Sequence, residues 1–162
     1  MNIDETIKNK HLLPFRQGVI GLVLNKQGKV LIAQMNAYKE NEWRFPGGGI
    51  DQGEEPSQAL LRELREELGS VKFEILAESK FKAKFDWPDE SIKKRFEERG
   101  ELYRGQEQIH FLVKFNGDCS NLNPDPEELR TIKWIPLDQL PSHFIFPGQW
   151  EITEKVINEL IK

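Results

Sequence analysis

The chain has 162 residues, of which 38% are hydrophobic, and this is enough for one domain with its own core. Its net charge of −4 gives no general excess of positive charge, so a nucleic-acid partner would require a local basic patch. Cys119 is the single cysteine, which excludes an internal disulfide, and we interpret it as a loop residue rather than a nucleophile. The N-terminus lacks an apolar signal core and no segment is apolar enough to cross a bilayer, so we expect a cytoplasmic protein with no membrane partner.

The polar residues 1–14 are expected to form a loose N-terminal leader, and residues 15–162 to form a single domain. The domain begins with two apolar, β-branched segments, 17–25 and 29–35, which predict a β-hairpin with a glycine in its turn. Arg16 stands just before the first of these strands. It is either an ordinary surface arginine or a clamp for a phosphate group, and both interpretations stay open at this point.

A glycine-rich stretch leads into a short helix predicted over 56–69, with a proline in its first turn and a glycine at its end. An apolar stripe of alanine and leucine residues predicts that this helix packs on a sheet. Another side carries Glu63, Glu66 and Glu67, which share a face because residues three and four apart are neighbours on a helix. Three adjacent carboxylates repel one another, and a hard divalent cation would relieve that repulsion. Oxygen ligands favour Mg²⁺, with Mn²⁺ as a substitute, whereas the alternative interpretation is a solvated acidic face.

Downstream, the pattern predicts four more strands and a terminal helix, in chain order at 71–78, 79–87, 106–115, 129–135 and 148–162. His110 lies within the third of these strands, where a packed histidine is more common than a ligand. The order of strands and helices predicts an α+β fold, with helices on either side of a mixed sheet.

A charged insertion covers 89–105 and is expected to be either an amphipathic helix around Ile92 and Phe96 or a mobile loop. It holds the one local concentration of basic residues, diluted by acidic neighbours: Lys93, Lys94, Arg95, Arg99 and Arg104. A solvated surface is the ordinary interpretation of such a segment. Beside a phosphate site, the same side chains would hold a polyphosphate through charge-assisted hydrogen bonds.

The glycine loop and the helix together resemble the Nudix box of hydrolases that act on linked nucleoside diphosphates. The matching positions, at the spacing of that motif, are Gly48, Glu54, Arg62, Glu63, Leu64, Glu66, Glu67 and Gly69. Ser70 departs from the pattern, which usually has an aliphatic residue there. The resemblance implies an α/β/α sandwich in which the box forms a loop-helix-loop metal site.

The resemblance also implies roles for individual residues. The metal shell would consist of the backbone carbonyl and carboxylates of Gly47, Glu63, Glu66, Glu67 and Glu128. The catalytic set would be Glu63, Arg62 and Glu67, and the general base would be Glu63, Glu67 or Glu128. Arg62 is also placed to pair with Glu54, which would orient the loop against the helix.

Motifs outside the box resemble those of diadenosine tetraphosphate hydrolases and RNA 5′-pyrophosphohydrolases, over most of residues 15–150. They are Arg16, the segments 43–46 and 103–108, and Glu128 six residues before Trp134. Two positions depart from that subgroup, which usually has a glutamine at Gly47 and an aromatic residue at Leu129.

By the same resemblance, a nucleoside polyphosphate would bind beside the metal. The candidates for neutralising its phosphates are Arg16, Lys82, Lys84 and Arg95. The candidates for contacting a base through a flat apolar ring are Phe85, Tyr103 and Phe146. For each aromatic residue, a place in the core or at its rim is an equally good interpretation.

We therefore expect a Mg²⁺-dependent pyrophosphohydrolase that cleaves dinucleoside polyphosphates or acts on 5′-triphosphorylated RNA ends. The first alternative keeps this chemistry but takes a mononucleotide, including oxidised (d)NTPs, which Gly47 and Leu129 favour. The second alternative is a sensor that binds a nucleotide without turnover, against which the intact glutamate set argues. The protein is expected to be a monomer or a homodimer.

Overall fold

The computed structural model describes residues 1–161, without the side chain of Cys119, so the interpretation of that thiol lies outside the described residues. In this range the strands are β1 (Phe15–Leu24), β2 (Val30–Met35), β3 (Gly47–Gly49), β4 (Phe73–Asp86), β5 (Gly105–Phe115) and β6 (Leu129–Ile135). The helices are α1 (Ile3–Lys8), α2 (Pro56–Leu68), α3 (Asp89–Arg99), α4 (Leu140–His143) and α5 (Gln149–Leu160). Over residues 1–161, the structure contains no helix with the length and apolar character needed to cross a membrane.

The strands form one mixed sheet in the order β4-β5-β1-β2-β6, and β3 pairs with β1 outside that order. β1 and β5 run parallel, whereas the other pairs are antiparallel. On one face, α2 buries Leu60 and Leu64 against Val23. On the other face, α5 buries Val156 against Leu22. This arrangement confirms the predicted α+β fold with α/β/α layers.

The predicted hairpin and the predicted helix are both present. The turn between β1 and β2 contains Gly28, whose φ of 76° suits a residue without a side chain. At the start of α2, the Gln58 side chain accepts a hydrogen bond from the Glu55 N–H at 3.0 Å. At its end, Gly69 adopts a left-handed conformation with φ of 66°, and its N–H donates to the Arg65 carbonyl at 2.9 Å.

Residues 71–87 contain one strand, β4, which spans 14 residues, whereas the sequence predicted two strands there. The register of β4 against β5 shifts between Glu78 and Lys82. Glu159 of α5 holds the extra residues, because its carboxylate accepts hydrogen bonds from the Ser79 hydroxyl and from the next two backbone N–H groups, at 2.6 to 3.1 Å. These bonds satisfy the bulged backbone, so the strand continues where its alternating pattern is interrupted.

The charged insertion forms a helix, α3, which packs against the N-terminal segment. Ile92 is buried, as predicted for an amphipathic helix. Lys93 lies 3.6 Å from the carboxylate of Asp4, and Asp89 lies 2.7 Å from the ammonium group of Lys10. The first residues include a helix, α1, where the sequence predicted a loose leader. The Asn2 side chain caps its first turn by accepting from the backbone N–H groups of Asp4 and Glu5, and α3 provides partners for charged side chains of the segment.

His110 of β5 is a packed histidine, as predicted. Its side chain is 3% exposed, and among the described residues its Nδ1 atom has no hydrogen-bond partner. Burial lowers the pKa of His110 from 6.5 to about 4, although the negative charge of Glu159 acts in the opposite direction. Between these two values the unfolded chain binds a proton that the folded protein does not bind.

Replacing His110 with leucine is expected to make stability less sensitive to acid. The contribution of His110 to the free energy of unfolding should fall by roughly 3 kcal/mol as the pH drops from 6.5 to about 4, because in this window its imidazole is protonated only in the unfolded state. Denaturant unfolding of wild type and His110→Leu at neutral pH and near pH 4 measures this change in the free energy of unfolding. His11→Gln, which changes an exposed histidine, is the control, and an equal acid sensitivity in His110→Leu and wild type would contradict the burial of a neutral imidazole.

Candidate active site

The glycine strand β3 provides a backbone surface on which an acidic side chain lies. Gly47, Gly48 and Gly49 pair with β1 in antiparallel register. A Cβ atom added to Gly47 would lie 2.1 Å from the Val19 carbonyl oxygen, and one added to Gly48 would lie 2.3 Å from the carboxyl carbon of Glu63. Only glycine permits this close approach, so β3 allows Glu63 to rest directly against the strand.

Arg62 joins the loop, the glycine strand and α2. Its guanidinium donates to both carboxylate oxygens of Glu54, at 2.7 and 3.0 Å, and to the Gly49 carbonyl at 2.9 Å. The predicted pairing of Glu54 with Arg62 is therefore present, and these hydrogen bonds lower the pKa of Glu54 to about 2. Arg62 also donates to Glu63 at 2.9 Å and to Glu66 at 3.3 Å.

Glu67 is the most deeply buried carboxylate of the site, with a side chain that is 1% exposed. Burial raises the pKa of Glu67 to about 7, and the negative charges of Glu63 and Glu128 act in the same direction. Burial also raises the pKa of Glu63, and the negative charge of Glu128 adds to this rise. These shared charge effects indicate that Glu128 lies near Glu63 and Glu67.

The loop before β6 brings Glu128 to this position. The Asn123 N–H donates to the Leu68 carbonyl at 2.7 Å, and the Asp125 N–H donates to the Glu67 carbonyl at 2.9 Å. Both acceptors belong to the last turn of α2, whose carbonyls have no partner within the helix. The loop therefore satisfies the end of α2 and, a few residues later, directs Glu128 towards the carboxylates of the helix.

The donor set of this site fits a hard divalent cation. The predicted ligands offer only oxygen atoms: Gly47, Glu63, Glu66, Glu67 and Glu128. In this structure the carboxylates of α2 are bonded to two guanidinium groups, those of Arg62 and Arg44. Among the residues that the structure describes, no three acidic, histidine or cysteine side chains are gathered about one point as ligands. A cation would have to draw the carboxylates together from these arginines.

Arg16 lies beside the carboxylate cluster. A Cβ atom added to Gly49 would be 2.1 Å from the Nη2 atom of Arg16, so this guanidinium lies over the glycine strand. Burial lowers the pKa of Arg16, and the positive charges of Arg95 and Arg99 from α3 lower it further. Arg95 is bonded to Glu101 at 3.0 Å. Three arginines from two elements therefore lie near one another at this edge of the site.

The two predicted lysines lie on the other face of the sheet from Arg16. The ammonium group of Lys84 is 5.6 Å from the centre of the Phe15 ring, and Phe15 projects away from Arg16 because neighbours along a strand alternate. Lys82, two residues from Lys84, shares that face. Phe85, 37% exposed, projects to the side of Arg16. The structure therefore brings Phe85 to the arginines and separates both lysines from them.

The other two predicted aromatic residues lie in loops. Phe146 precedes α5, and its ring makes an edge-to-face contact with Tyr38, with ring centres 5.3 Å apart. Tyr103 is half-buried in the segment between α3 and β5. Neither ring is part of the two main apolar clusters of the described residues, and both side chains are half-buried.

Sequence reasoning did not single out two side chains that belong to this site, Arg44 and Trp87. Arg44 donates to Glu67, and Trp87 lies under the guanidinium of Arg95 at 5.5 Å. A signal for Arg44 was present, because it stands between two aromatic residues in an extended segment that ends in a proline. Alternation buries the aromatic side chains and directs the arginine to the opposite side.

Comparisons with known proteins agree with this description. A family profile described as "NUDIX domain" matches residues 14–156. The RNA pyrophosphohydrolase of Rickettsia bellii is 36% identical, over 97% of this chain and 96% of its own, and that of Bartonella henselae is 34% identical, over 96% and 95%. The fold is similar to the Escherichia coli dihydroneopterin triphosphate pyrophosphohydrolase, with a TM-score of 0.68 at 15% identity over 90% of this chain and 99% of the other. It is also similar to a Caenorhabditis elegans Ap4A hydrolase, with a TM-score of 0.60 at 18% identity over 86% and 94%.

Replacing Arg62 with lysine is expected to destabilise the protein. An ammonium group cannot reproduce the bidentate bonds to Glu54 together with the bond to Gly49, so we expect a loss of roughly 2 kcal/mol in the free energy of unfolding. Arg65→Lys is the matched control, because Arg65 is an exposed arginine on the same helix. Equal midpoints of chemical denaturation for the two variants would contradict this role of Arg62.

Proposed function

Because the chain belongs to the Nudix family and is a pyrophosphohydrolase acting on phosphoric anhydride bonds, we propose that its substrate is the 5′-triphosphorylated end of an RNA. The observation that carries this proposal is the position of Arg16, whose guanidinium lies over the glycine strand near Glu63, with the positive charges of Arg95 and Arg99 close to it. A triphosphate would find positive charge for its phosphate oxygens and acidic ligands for their counter-ions at the same edge. The similarity to proteins named RNA pyrophosphohydrolase along nearly the whole chain supports the choice of RNA.

The site is proposed to work with Mg²⁺, for which Mn²⁺ can substitute. The groups that would hold the ion are the Gly47 carbonyl and the carboxylates of Glu63, Glu66, Glu67 and Glu128. When bound, such an ion neutralises phosphate charge and makes a coordinated water more acidic.

The chain itself supplies proton transfer and positioning. Water attacks one phosphorus of the anhydride, a new P–O bond forms, the bridging P–O bond breaks and the leaving phosphate takes the electron pair. One of Glu63, Glu67 and Glu128 accepts the proton of that water as the general base. Arg62 holds the glycine strand against α2 during this step, since it bonds the Gly49 carbonyl and the loop residue Glu54.

The remaining contacts are proposed from the face of the sheet on which each residue lies. Arg16 and Arg95 would contact phosphate oxygens, and Phe85 on the same face would contact the first base. Tyr103 and Phe146 are the other aromatic contacts. Lys82 and Lys84 project away from Arg16, to the face of the sheet that carries α2, and Lys84 is paired with Glu107 at 3.3 Å. Neither lysine is proposed to share the phosphate that Arg16 contacts.

A second candidate substrate is a dinucleoside polyphosphate such as diadenosine tetraphosphate. The observation that supports it is the motif at 103–108, which resembles that of diadenosine tetraphosphate hydrolases as well as that of RNA 5′-pyrophosphohydrolases. The chemistry would be the same, because both substrates present a phosphoric anhydride next to a nucleoside. A second nucleoside, rather than an RNA chain, would then lie against the aromatic residues.

The proposal is tested by a hydrolysis screen in the presence of Mg²⁺, with the products separated by chromatography. The substrates are a short 5′-triphosphorylated RNA, diadenosine tetraphosphate, and single (d)NTPs including an oxidised guanine nucleotide. Glu67→Gln, which keeps the size of the side chain and removes its charge, is the control variant. We expect fastest turnover of the RNA, and a loss of about 10³-fold or more in Glu67→Gln with substrate binding largely retained.

Faster turnover of diadenosine tetraphosphate than of the RNA would indicate that the substrate is a dinucleoside polyphosphate and not an RNA end. Preference for mononucleotides would contradict both. Saturable binding with no turnover of any substrate would contradict the catalytic assignment and indicate a nucleotide sensor.

Arg16 and Lys84 offer a matched test of the substrate site. Arg16→Gln is expected to raise the KM for triphosphorylated RNA roughly tenfold, because a charge-assisted contact to phosphate is lost. Lys84→Gln removes the same charge from a lysine that is already paired with Glu107 at 3.3 Å and that projects away from Arg16, so it should leave KM nearly unchanged. An equal rise in both variants would indicate a general effect of charge, and no rise in Arg16→Gln would exclude it from the site.

A further inference from the structure

Arg44 contacts two of the groups that are proposed to hold the metal. Its Nη2 atom lies 3.3 and 3.5 Å from the two carboxylate oxygens of Glu67. Its Nη1 atom lies 3.4 Å from the Gly47 carbonyl oxygen and 3.3 Å from that of Phe45. One guanidinium therefore bridges a buried carboxylate and a backbone carbonyl, which are both oxygen donors suited to a divalent cation.

The fold holds Arg44 in this position. Its backbone N–H and carbonyl both bond to Ala33 of β2, at 3.0 and 2.8 Å. Trp43 and Phe45 on either side are buried, so the segment cannot rotate without exposing two aromatic rings. The Nε atom of Arg44 contacts the Met35 sulfur at 3.0 Å. The guanidinium is thus directed at Glu67 by the sheet and not by an exposed, freely moving side chain.

A cation next to Glu67 is needed to keep its carboxylate ionised. The carboxylate is almost inaccessible to water, and an ionised carboxylate at such a site is strongly unfavourable without a positive partner. Arg44 supplies that partner in this structure, at 3.3 Å. A divalent ion bound by Glu67 would carry positive charge into the same space, where it and the guanidinium would repel each other.

Arg62 differs from Arg44 in this respect. It also contacts proposed ligands, Glu63 and Glu66, but it has further bonds to Glu54 and to the Gly49 carbonyl. Those bonds remain when its contacts to the ligands are given up. Arg44 has no carboxylate partner other than Glu67 among the residues that the structure describes.

We infer that Arg44 is the positive partner of Glu67 when no metal is bound, and that the metal must displace it, so that Arg44 weakens metal binding while it stabilises the metal-free protein. This inference rests on the metal site of the proposed function. It makes metal binding an exchange of one cation for another at Glu67, with Arg44 as the residue that sets the affinity.

The test measures metal binding and metal-free stability directly, without substrate. Mn²⁺ alone is titrated into wild type, Arg44→Gln and Arg44→Lys by calorimetry, and thermal unfolding is recorded in the presence of a chelator. Arg65→Gln, which removes one charge from an exposed arginine of α2, is the control for general electrostatics. For Arg44→Gln we expect a roughly tenfold lower Kd for Mn²⁺ and a Tm in chelator that is lower by about 3 °C or more. Arg44→Lys should fall between wild type and Arg44→Gln, and Arg65→Gln should match wild type in both measurements.

The outcomes separate this inference from the proposed function. If wild type binds Mn²⁺ and Arg44→Gln binds it equally or more weakly, Arg44 does not compete with the metal and the inference is wrong. If wild type does not bind Mn²⁺ at all, the metal site itself is wrong. Should Arg44→Gln fail to fold, Arg44→Lys decides, because a Kd no lower than that of wild type would overturn the inference in the same way.

Discussion

The arrangement of the site depends on how negative charge is buried against one end of α2. Glu67 is almost inaccessible to water and Glu63 lies on the glycine strand, so each needs a positive partner to remain ionised. Arg62 and Arg44 supply these partners from opposite ends of the cluster. Each guanidinium also reaches a carbonyl of the glycine strand, Arg62 that of Gly49 and Arg44 that of Gly47. Charge compensation and the position of β3 are therefore one constraint, because the same groups that offset the carboxylates hold the strand against the helix.

The sheet divides the basic residues into two sets with different environments. Arg16 projects to the side of α3, where Arg95 and Arg99 add to its positive charge. Lys84 projects to the other side, where it is paired with a glutamate and lies over an aromatic ring. The first set has an excess of positive charge next to acidic groups, which suits a phosphate chain with its counter-ions. Lys84 is already paired with a glutamate, and its separation from Arg16 follows from the alternation of side chains along β1 and β4.

Several elements were predictable because their signals are local. A proline, a glycine and an apolar stripe define α2, and the short turn defines the hairpin. The unbroken length of β4 was not predictable, because Glu159 satisfies its bulge from the far end of the chain. A contact between residues 80 positions apart leaves no periodic pattern in the strand. The helix in the first residues was missed although its signal is local, because Asn2 caps its first turn and the acidic residues Asp4 and Glu5 follow.

The sequence by itself determined the family, the α+β fold and the acidic helix face, because fixed spacing on a helix decides which carboxylates are neighbours. It also determined the pairing of Glu54 with Arg62, which lie close along the chain. Only the tertiary structure decided that Arg44 meets Glu67, that Arg16 and Lys84 lie on different faces, and that α3 brings its arginines to the site. Each of these depends on strand register and on the packing of elements that are distant in the sequence. The identity of a charged residue does not by itself predict on which face of the sheet its side chain will lie.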